Sequence, residues 1–216
     1  MTSMTNLVLV HVDPHWIIVN KPPGLLSVPG RGADKQDCLS ARIQQDYPDA
    51  LIVHRLDMAT SGLMVLARGP ASQRILSAAF ANRLVRKTYI AMVAGTLHTK
   101  YENWQTIDLP IQVDWPNRPL RIIDPVLGKP SVTRVQSLHV DSLHNITRVA
   151  LEPVTGRSHQ LRVHLKAIGH PILGDALYAP EPVQALSERL LLHATALRLP
   201  HPAHSHTMDF ESPPEF

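Results

Sequence analysis

A single carboxylate, Asp57, lies within a strongly basic part of the sequence. Between Ala50 and Tyr101 it is the one acidic residue. Neighbouring cations favour the ionised form of a carboxylate even where it is partly buried. Asp57 is therefore a candidate for nucleophilic attack or ion pairing, although an Asx turn before an apolar strand would explain it equally well. The same stretch holds seven basic residues, namely Arg55, Arg68, Arg74, Arg83, Arg86, Lys87 and Lys100.

A carboxylate of this kind can add to an electrophilic carbon or stabilise an oxocarbenium-like sugar. Further along the chain, the ring of Tyr89 could hold a base, and an arginine of the helical stretch that follows Ser158 could steer the carboxylate through a bidentate pair. Such a set suits a reaction at C1′ of a nucleoside. A glycosidase would need a second carboxylate beside the first, and none is near Asp57 in sequence, which excludes that class only in part.

The sequence argues against metal and hydrolase chemistry. Among thirteen histidines, His159 and His164 are five residues apart on a predicted helix, a spacing that turns their side chains well apart. The three histidines of the tail, within 201–206, have no cysteine or carboxylate at the spacing of a zinc site. The chain has no Gly-x-Ser-x-Gly motif of serine hydrolases. Cys38 is the only cysteine, which excludes an intrachain disulfide and fits a reducing compartment. We therefore expect no metal site.

Composition and charge indicate a globular protein with an anionic partner. The chain has 216 residues, 44% of them hydrophobic, 18% charged, with a net charge of +3, and we expect one domain over residues 1–216. A second acid-free block, 153–174, carries Arg157, Arg162 and Lys166, so two basic blocks predict a face for a nucleic acid backbone. The apolar run 7–10 is too short for a signal peptide or membrane span, which predicts a cytoplasmic protein without membrane contact.

Periodicity and turn residues predict an α+β domain on a mostly antiparallel or mixed sheet. Ser158 is the expected N-cap of the third helix, whose inward side would carry Leu161, Leu165 and Ile168. An insert, 97–129, shows little periodicity, and its Trp115 and Arg118 indicate either local packing or stacking on single-stranded RNA. The predicted strands are 7–12, 16–19, 62–67, 87–93, 131–140, 145–152 and 191–199, and the predicted helices are 36–47, 71–84, 158–168 and 183–188.

Two long motifs carry a family resemblance. His-Arg-Leu-Asp-Met-Ala-Thr-Ser-Gly-Leu at 54–63 and Thr-Gly-Arg-Ser-His-Gln-Leu-Arg-Val-His-Leu at 155–165 resemble the RluA family of RNA pseudouridine synthases. The resemblance implies the pseudouridine synthase fold, with a central mostly antiparallel sheet, flanking helices and a catalytic cleft. It also implies cofactor-free isomerisation of uridine in RNA, by cutting N1–C1′ and rejoining the base through C5. Shorter pieces follow in the family's order at 19–25, 87–91, 169–175 and 189–194.

The resemblance also implies roles for individual residues. Asp57 maps to the catalytic aspartate, and whether it attacks C1′ or removes a proton from C2′ stays open. Tyr89 would pack on the target base, and Arg162 would pair with Asp57. The base must leave its stack at a cost of about a few kcal/mol, and our hypothesis is that Arg55 fills the vacated place, with a phosphate contact as the alternative. Further predicted RNA-binding residues are Lys21, His54, Arg86, Lys87, Trp115, Arg118, Arg157 and His159.

Three shorter and less specific segments, 24–31, 57–60 and 114–119, resemble the dual-specificity RluA branch. That branch modifies both 23S rRNA and an anticodon-loop position of several tRNAs. The alternatives are the same chemistry on rRNA or tRNA alone, a non-catalytic RNA-binding protein on the same scaffold, and a hydrolytic glycosidase. Because the catalytic motifs begin almost at once, we expect no N-terminal S4 domain. A monomer is the family-like expectation.

Overall fold

A computed structural model describes residues 7–99 and 103–216, which divide into two compact units. The first contains the described residues up to Lys87 together with Ala194–Glu215, and the second contains the described residues of Thr88–His193 together with Phe216. Lys100, one of the seven cations of the basic block, lies outside the described residues. The expectation of a single catalytic domain stays a prediction.

The described elements alternate along the chain without a regular βαβ repeat. In order they are β1 (Val8–Val12), β2 (Trp16–Lys21), a 3-10 turn (Ala33–Lys35), α1 (Leu39–Asp46), β3 (Ala50–Ile52), β4 (Ser61–Arg68), α2 (Gly69–Ala81), β5 (Arg86–Ala94), β6 (Gln105–Asp108), β7 (Ile111–Val113), β8 (Arg121–Ile123), β9 (Val132–Asp141), β10 (Ile146–Pro153), α3 (Gln160–Ala167), α4 (Glu181–Gln184), β11 (Leu192–Pro200) and β12 (Thr207–Glu211).

The first unit is a sheet with the strand order β1-β2-β4-β11, in which β3 also pairs with β4 and β12 with β11. The pairs β1–β2, β2–β4, β3–β4 and β11–β12 are antiparallel. Side chains of a strand alternate between the two faces, and the register places Trp16 opposite Ala67 and Ile18 opposite Val65. These residues form one core with Leu76 of α2, so helix and sheet together support the loop between β3 and β4.

The second unit is a sheet with the order β5-β10-β9-β6, and the pairs β5–β10, β10–β9 and β9–β6 are antiparallel. β7 and β8 form a separate antiparallel hairpin. A small core joins this hairpin to α3 through Ile111, Val163 and Tyr178. Helix α3 carries Arg162, so the hairpin and the helix are positioned together.

The predicted α+β class is confirmed, and most predicted elements occur within a few residues of their expected bounds. Two details are wrong: His159 rather than Ser158 is the N-cap of α3, and Ile168 is exposed. The insert 97–129, for which no strand was predicted, contains β6, β7 and β8. β3 and β12 were not predicted either, and the three residues of β3 are too few to show periodicity. No α-helix within the described ranges is long and apolar enough to cross a membrane.

Candidate active site

The loop between β3 and β4 carries Asp57 and has a fixed backbone. Thr60 N–H donates to the Asp57 carbonyl at 3.1 Å, and Gly24 N–H donates to the Met58 carbonyl at 2.9 Å. Gly62 follows with φ +112, and a Cβ there would lie 2.4 Å from the Ala194 carbonyl oxygen. Only glycine fits this conformation and this close approach. The expected tight turn is therefore present, and it fixes the place from which Asp57 projects.

Lys21, at the end of β2, ties two loops together from a fully buried position. Its Nζ donates to the carbonyls of Pro22 and Leu25, both at 2.8 Å, and of Met58 at 3.0 Å. Burial lowers the pKa of Lys21 to about 8, while the nearby Asp57 carboxylate opposes this by favouring the ammonium form. A lysine has three N–H groups, and all three are engaged. This geometry assigns Lys21 to the architecture of the Asp57 loop instead of to an RNA phosphate.

His54 also has a structural position. Its ring stacks on Phe80 with centroids 4.6 Å apart, and its Nε2 accepts a hydrogen bond from Val65 N–H at 3.0 Å. Burial lowers the pKa of His54 to about 3, with a smaller contribution from the charge of Lys87. The imidazole is thus neutral at pH 7, and its acceptor nitrogen anchors the segment before Asp57 to β4. It contributes no cationic group to an RNA site.

The remaining predicted cations of the first unit differ in exposure. Arg55 and Arg86 are exposed, and the side chain of neither forms a hydrogen bond or ion pair with another residue of the described ranges. Lys87 is partly buried, with its Nζ 5.8 Å from the Phe80 ring centroid, and burial lowers its pKa. The two arginines keep their full hydrogen-bonding capacity for a ligand, whereas Lys87 shares its charge with an aromatic face.

In the second unit, Tyr89 lies on β5 opposite Leu151 of β10 and is buried. Arg162, on α3, is buried as well and forms a bidentate ion pair with Asp175. Its Nε donates to Asp175 Oδ2 at 2.8 Å and its Nη2 to Oδ1 at 2.6 Å. Sequence reasoning missed Asp175 as a partner, although it ends the Gly-His-Pro-Ile-Leu-Gly-Asp piece at 169–175 that contributed to the resemblance.

His159 and Tyr178 form a second polar contact beside this pair. His159 Nδ1 lies 2.6 Å from the Tyr178 hydroxyl, which also accepts the Arg121 backbone N–H at 2.9 Å. Because the hydroxyl accepts from Arg121, its own proton remains able to donate to His159 Nδ1. Burial raises the pKa of Tyr178 to about 12. His159 itself has φ 60, in the left-handed region that few side chains adopt.

The β7–β8 hairpin presents an aromatic residue to solvent. The Trp115 side chain is 62% exposed, and the Arg118 guanidinium lies 3.5 Å from its ring centroid. Asp114 fixes the loop by accepting from the backbone N–H and side-chain amide of Asn117 at 3.3 and 3.1 Å. The indole lies on the surface with Arg118 packed on one face, and the two alternatives for this loop, local packing and RNA stacking, stay predictions. The exposed Arg157, before α3, donates to the Pro130 carbonyl through Nε at 3.4 Å and Nη2 at 3.3 Å.

The predicted site residues divide evenly between the units. Within the described ranges, no group of three His, Cys, Asp or Glu side chains is placed to hold a metal ion. The catalytic roles of Asp57, Tyr89 and Arg162 and the remaining RNA contacts stay predictions. The first unit holds Lys21, His54, Arg55, Asp57, Arg86 and Lys87, and the second holds Tyr89, Trp115, Arg118, Arg157, His159 and Arg162.

Comparison with known proteins agrees with the chemistry expected from these residues. Residues 15–167 match the family model for RNA pseudouridylate synthases. The dual-specificity RNA pseudouridine synthase RluA of Escherichia coli K12 is 48% identical over 97% of this chain and 94% of its own length. The protein of the same name from Vibrio parahaemolyticus is 50% identical over 90% of this chain and 78% of its own length.

Solved structures show the same fold. Human RNA pseudouridylate synthase domain containing 1 superposes with a TM-score of 0.80 and 28% identity, covering 100% of this chain and 86% of its own. Human RNA pseudouridylate synthase domain containing 4 gives a TM-score of 0.72 and 25% identity over 96% of this chain and 88% of its own. The family match covers more than half of the sequence, including the Asp57 and Arg162 motifs. The chain belongs to the RNA pseudouridylate synthase family and is an enzyme that isomerises uridine in RNA to pseudouridine.

Proposed function

We propose that this enzyme acts on two RNA classes, 23S rRNA and the anticodon stem-loops of tRNAs, as a cytoplasmic monomer without a cofactor. The observation that carries the substrate assignment is the match over nearly the whole chain to proteins named dual-specificity RNA pseudouridine synthase. The exposed Trp115–Arg118 loop, which falls in the part of the sequence that resembles that branch, supports it. An enzyme restricted to rRNA or to tRNA alone is the second candidate.

The catalytic roles rest on the family resemblance. Asp57 is the carboxylate that reacts at the ribose, by attack on C1′ or by removing the C2′ proton. Tyr89 packs on the target base, and Arg162 pairs with Asp57. The fixed turn around Asp57 supports this assignment, because a reacting group held in place loses little freedom on reaching the transition state. Lys21 and His54 contribute by holding that turn and its approach.

Arg55 is the residue we propose to fill the space left by the extruded uridine. It is exposed and lies two positions before Asp57, in the same loop as the exposed Met58. Exposed Arg86 would neutralise a backbone phosphate, with Arg157 and Lys87 contributing to the same electrostatic attraction. His159 would contribute a polar contact to the RNA. Proteins that extrude a base bear the cost of unstacking, so uridines in loops, which are already partly unstacked, are the favoured targets.

Trp115 is the proposed stacking surface for an unpaired base near the target. Arg118 covers one face of the indole at 3.5 Å, so a base stacks on the opposite face. Stacking of a base on an aromatic side chain contributes about 1–3 kcal/mol. Trp115→Ala should therefore weaken RNA binding, and Trp115→Phe should retain most of the affinity. Equal losses in the two variants would contradict stacking, as measured by titration of a fluorescent anticodon stem-loop.

The deciding experiment is label release from RNA transcribed with [5-³H]uridine, because C5 loses its label when pseudouridine forms. The wild-type protein should release label from both a tRNA and a 23S rRNA fragment, and Asp57→Asn from neither. Release of label from only one of the two RNAs would indicate an enzyme restricted to rRNA or to tRNA. Free uracil as the product would indicate a glycosidase, and binding without any release would indicate a non-catalytic RNA-binding protein.

The variant Arg55→Ala tests whether Arg55 acts as a wedge, that is, whether its side chain fills the space left by the extruded uridine. It should slow modification of bound RNA in single-turnover reactions, whereas Arg74→Ala, which removes an exposed arginine of α2, should leave that rate unchanged. If Arg55→Ala binds RNA more weakly but modifies bound RNA at the normal rate, Arg55 is a phosphate contact and not a wedge.

The proposal that the enzyme is a monomer is tested by light scattering of the peak that elutes from a size-exclusion column.

A further inference from the structure

Both carboxylate oxygens of Asp175 accept hydrogen bonds from Arg162. The Nε–Oδ2 and Nη2–Oδ1 distances of 2.8 and 2.6 Å describe a fork-to-fork pair, and the Asp175 side chain is 1% exposed. A bidentate pair fixes the plane of a guanidinium as well as its position. Since a guanidinium has five N–H groups, two of them engage Asp175 and three point elsewhere in directions that this pair sets.

The backbone around Asp175 holds the carboxylate in turn. Its Oδ1 also accepts from Leu177 N–H at 3.0 Å and from Tyr178 N–H at 3.2 Å. Gly174, just before it, has φ +70, and a Cβ there would lie 1.9 Å from the Arg189 carbonyl oxygen. The residue that orients Arg162 is therefore fixed by its own turn and does not depend on rotamer choice alone.

Tyr178 restricts the same guanidinium from another side. The Arg162 Cζ lies 5.0 Å from the Tyr178 ring centroid, within the range of a cation–π contact. The ring is held by its hydroxyl contacts with Arg121 N–H and His159 and by its backbone contact with Asp175. One carboxylate thus fixes the arginine directly and the aromatic ring beside it through the backbone.

We infer that Asp175 is a positioning residue of the reaction: it sets the orientation in which Arg162 serves the catalytic carboxylate. This inference rests on the proposed role of Arg162. The supporting contacts all lie within one unit, between α3, the segment 174–178 that follows it and Arg121 of β8. Asp175 touches neither substrate nor reacting atoms in this role, and its effect on rate passes through Arg162.

The test uses the full chain and single-turnover label release from a [5-³H]uridine anticodon stem-loop, with enzyme in excess. Asp175→Asn keeps the shape of the side chain but removes the charge and one acceptor. The rate of modification should fall about 10²-fold, with RNA affinity unchanged. Asp141→Asn is the matched control, since Asp141 Oδ1 also accepts two backbone N–H groups, from Leu143 and His144, in an exposed turn. That control should stay within about twofold of the wild-type rate.

A second background separates positioning from general damage to the fold. If Asp175 acts through Arg162, Asp175→Asn should change the rate by less than about threefold when Arg162 is already lysine, because the two substitutions then affect one unit. An equally large additional loss in the Arg162→Lys background would overturn the inference. So would a normal rate for Asp175→Asn alone.

Should Asp175→Asn fail to fold, Asp175→Glu provides the measurement, since it keeps the charge and moves it by one methylene. A large loss of rate with retained RNA binding supports positioning, and a wild-type rate overturns it. Failure of the underlying function is distinguishable, because the wild-type enzyme would then release no label from any RNA.

Discussion

Lys21 and Arg162 are both buried cations, one in each unit, and different groups stabilise their positive charges. Lys21 is surrounded by the three carbonyls of Pro22, Leu25 and Met58. Arg162 is paired with the Asp175 carboxylate. Carbonyl dipoles only partly replace the hydration of an ammonium, and burial accordingly lowers the pKa of Lys21 to about 8. A carboxylate offsets the charge of a guanidinium directly.

The difference shows what each cation does for the site. Lys21 shapes backbone, since Pro22 and Leu25 belong to the loop after β2 and Met58 belongs to the loop that carries Asp57. Arg162 instead receives its orientation from a neighbouring carboxylate. A compact ammonium suits the first task and a planar fork suits the second. The two buried cations are therefore held by protein partners, whereas the exposed arginines Arg55 and Arg86 are accessible to a ligand, which we propose is RNA.

The largest expected effect follows from removing the partner of the buried guanidinium. Asp175→Ala leaves Arg162 buried without its carboxylate, which should lower the free energy of unfolding by about 3–5 kcal/mol. Asp141→Ala, which removes a similar but exposed turn-forming carboxylate, should cost about 1 kcal/mol. Urea unfolding of both variants makes the measurement. Equal losses would mean that only the turn, and not the ion pair, depends on Asp175.

The buried Lys21 should make the free energy of unfolding depend on pH. Its pKa is about 8 in the folded protein against 10.5 for an ordinary lysine, so the unfolded chain binds more protons between these values. Stability then rises with pH over that window, and the penalty of burying the charge, about 3 kcal/mol, is fully present below pH 8 and is lost by pH 10.5.

Lys21→Met isolates this contribution from the other titrating groups. The difference between the unfolding free energies of wild type and Lys21→Met, measured by urea denaturation at several pH values, should grow in favour of the wild type from pH 8 to pH 10.5. Lys35→Met, at an exposed position, should show no such trend. A constant difference for Lys21→Met would show that the ammonium is not destabilised by burial.

The smallest effect on stability is expected at an exposed cation. Arg86→Ala should change the free energy of unfolding by no more than about 0.5 kcal/mol, because the Arg86 side chain is exposed and forms no hydrogen bond or ion pair with a described residue. It should weaken RNA binding and reduce the slope of log affinity against log salt by about 1. Filter binding at several salt concentrations measures both. An unchanged slope would remove Arg86 from the RNA-binding surface.

Much of the fold was predictable from local pattern. The strand that follows Gly62 is continuously apolar, and the paired strands β9 and β10 have a polar connection between them. The short strands β6, β7 and β8 were not predictable, because three or four residues carry too little periodicity and are defined by their partners. The N-cap of α3 was missed since His159 adopts a left-handed backbone conformation that composition does not signal.

The sequence by itself determined the family, the reaction and Asp57 as the candidate catalytic residue, because motif residues are adjacent in the chain and their spacing can be read directly. Only the tertiary structure decided how individual cations are used. Lys21, Arg162 and Arg86 are all basic residues in acid-poor surroundings in the sequence, yet the first is engaged by carbonyls, the second is paired with Asp175, and the third is exposed. Burial and partners are set by residues that are distant in sequence and adjacent in space, and these decide whether a positive charge supports a loop, orients a reacting group or meets RNA.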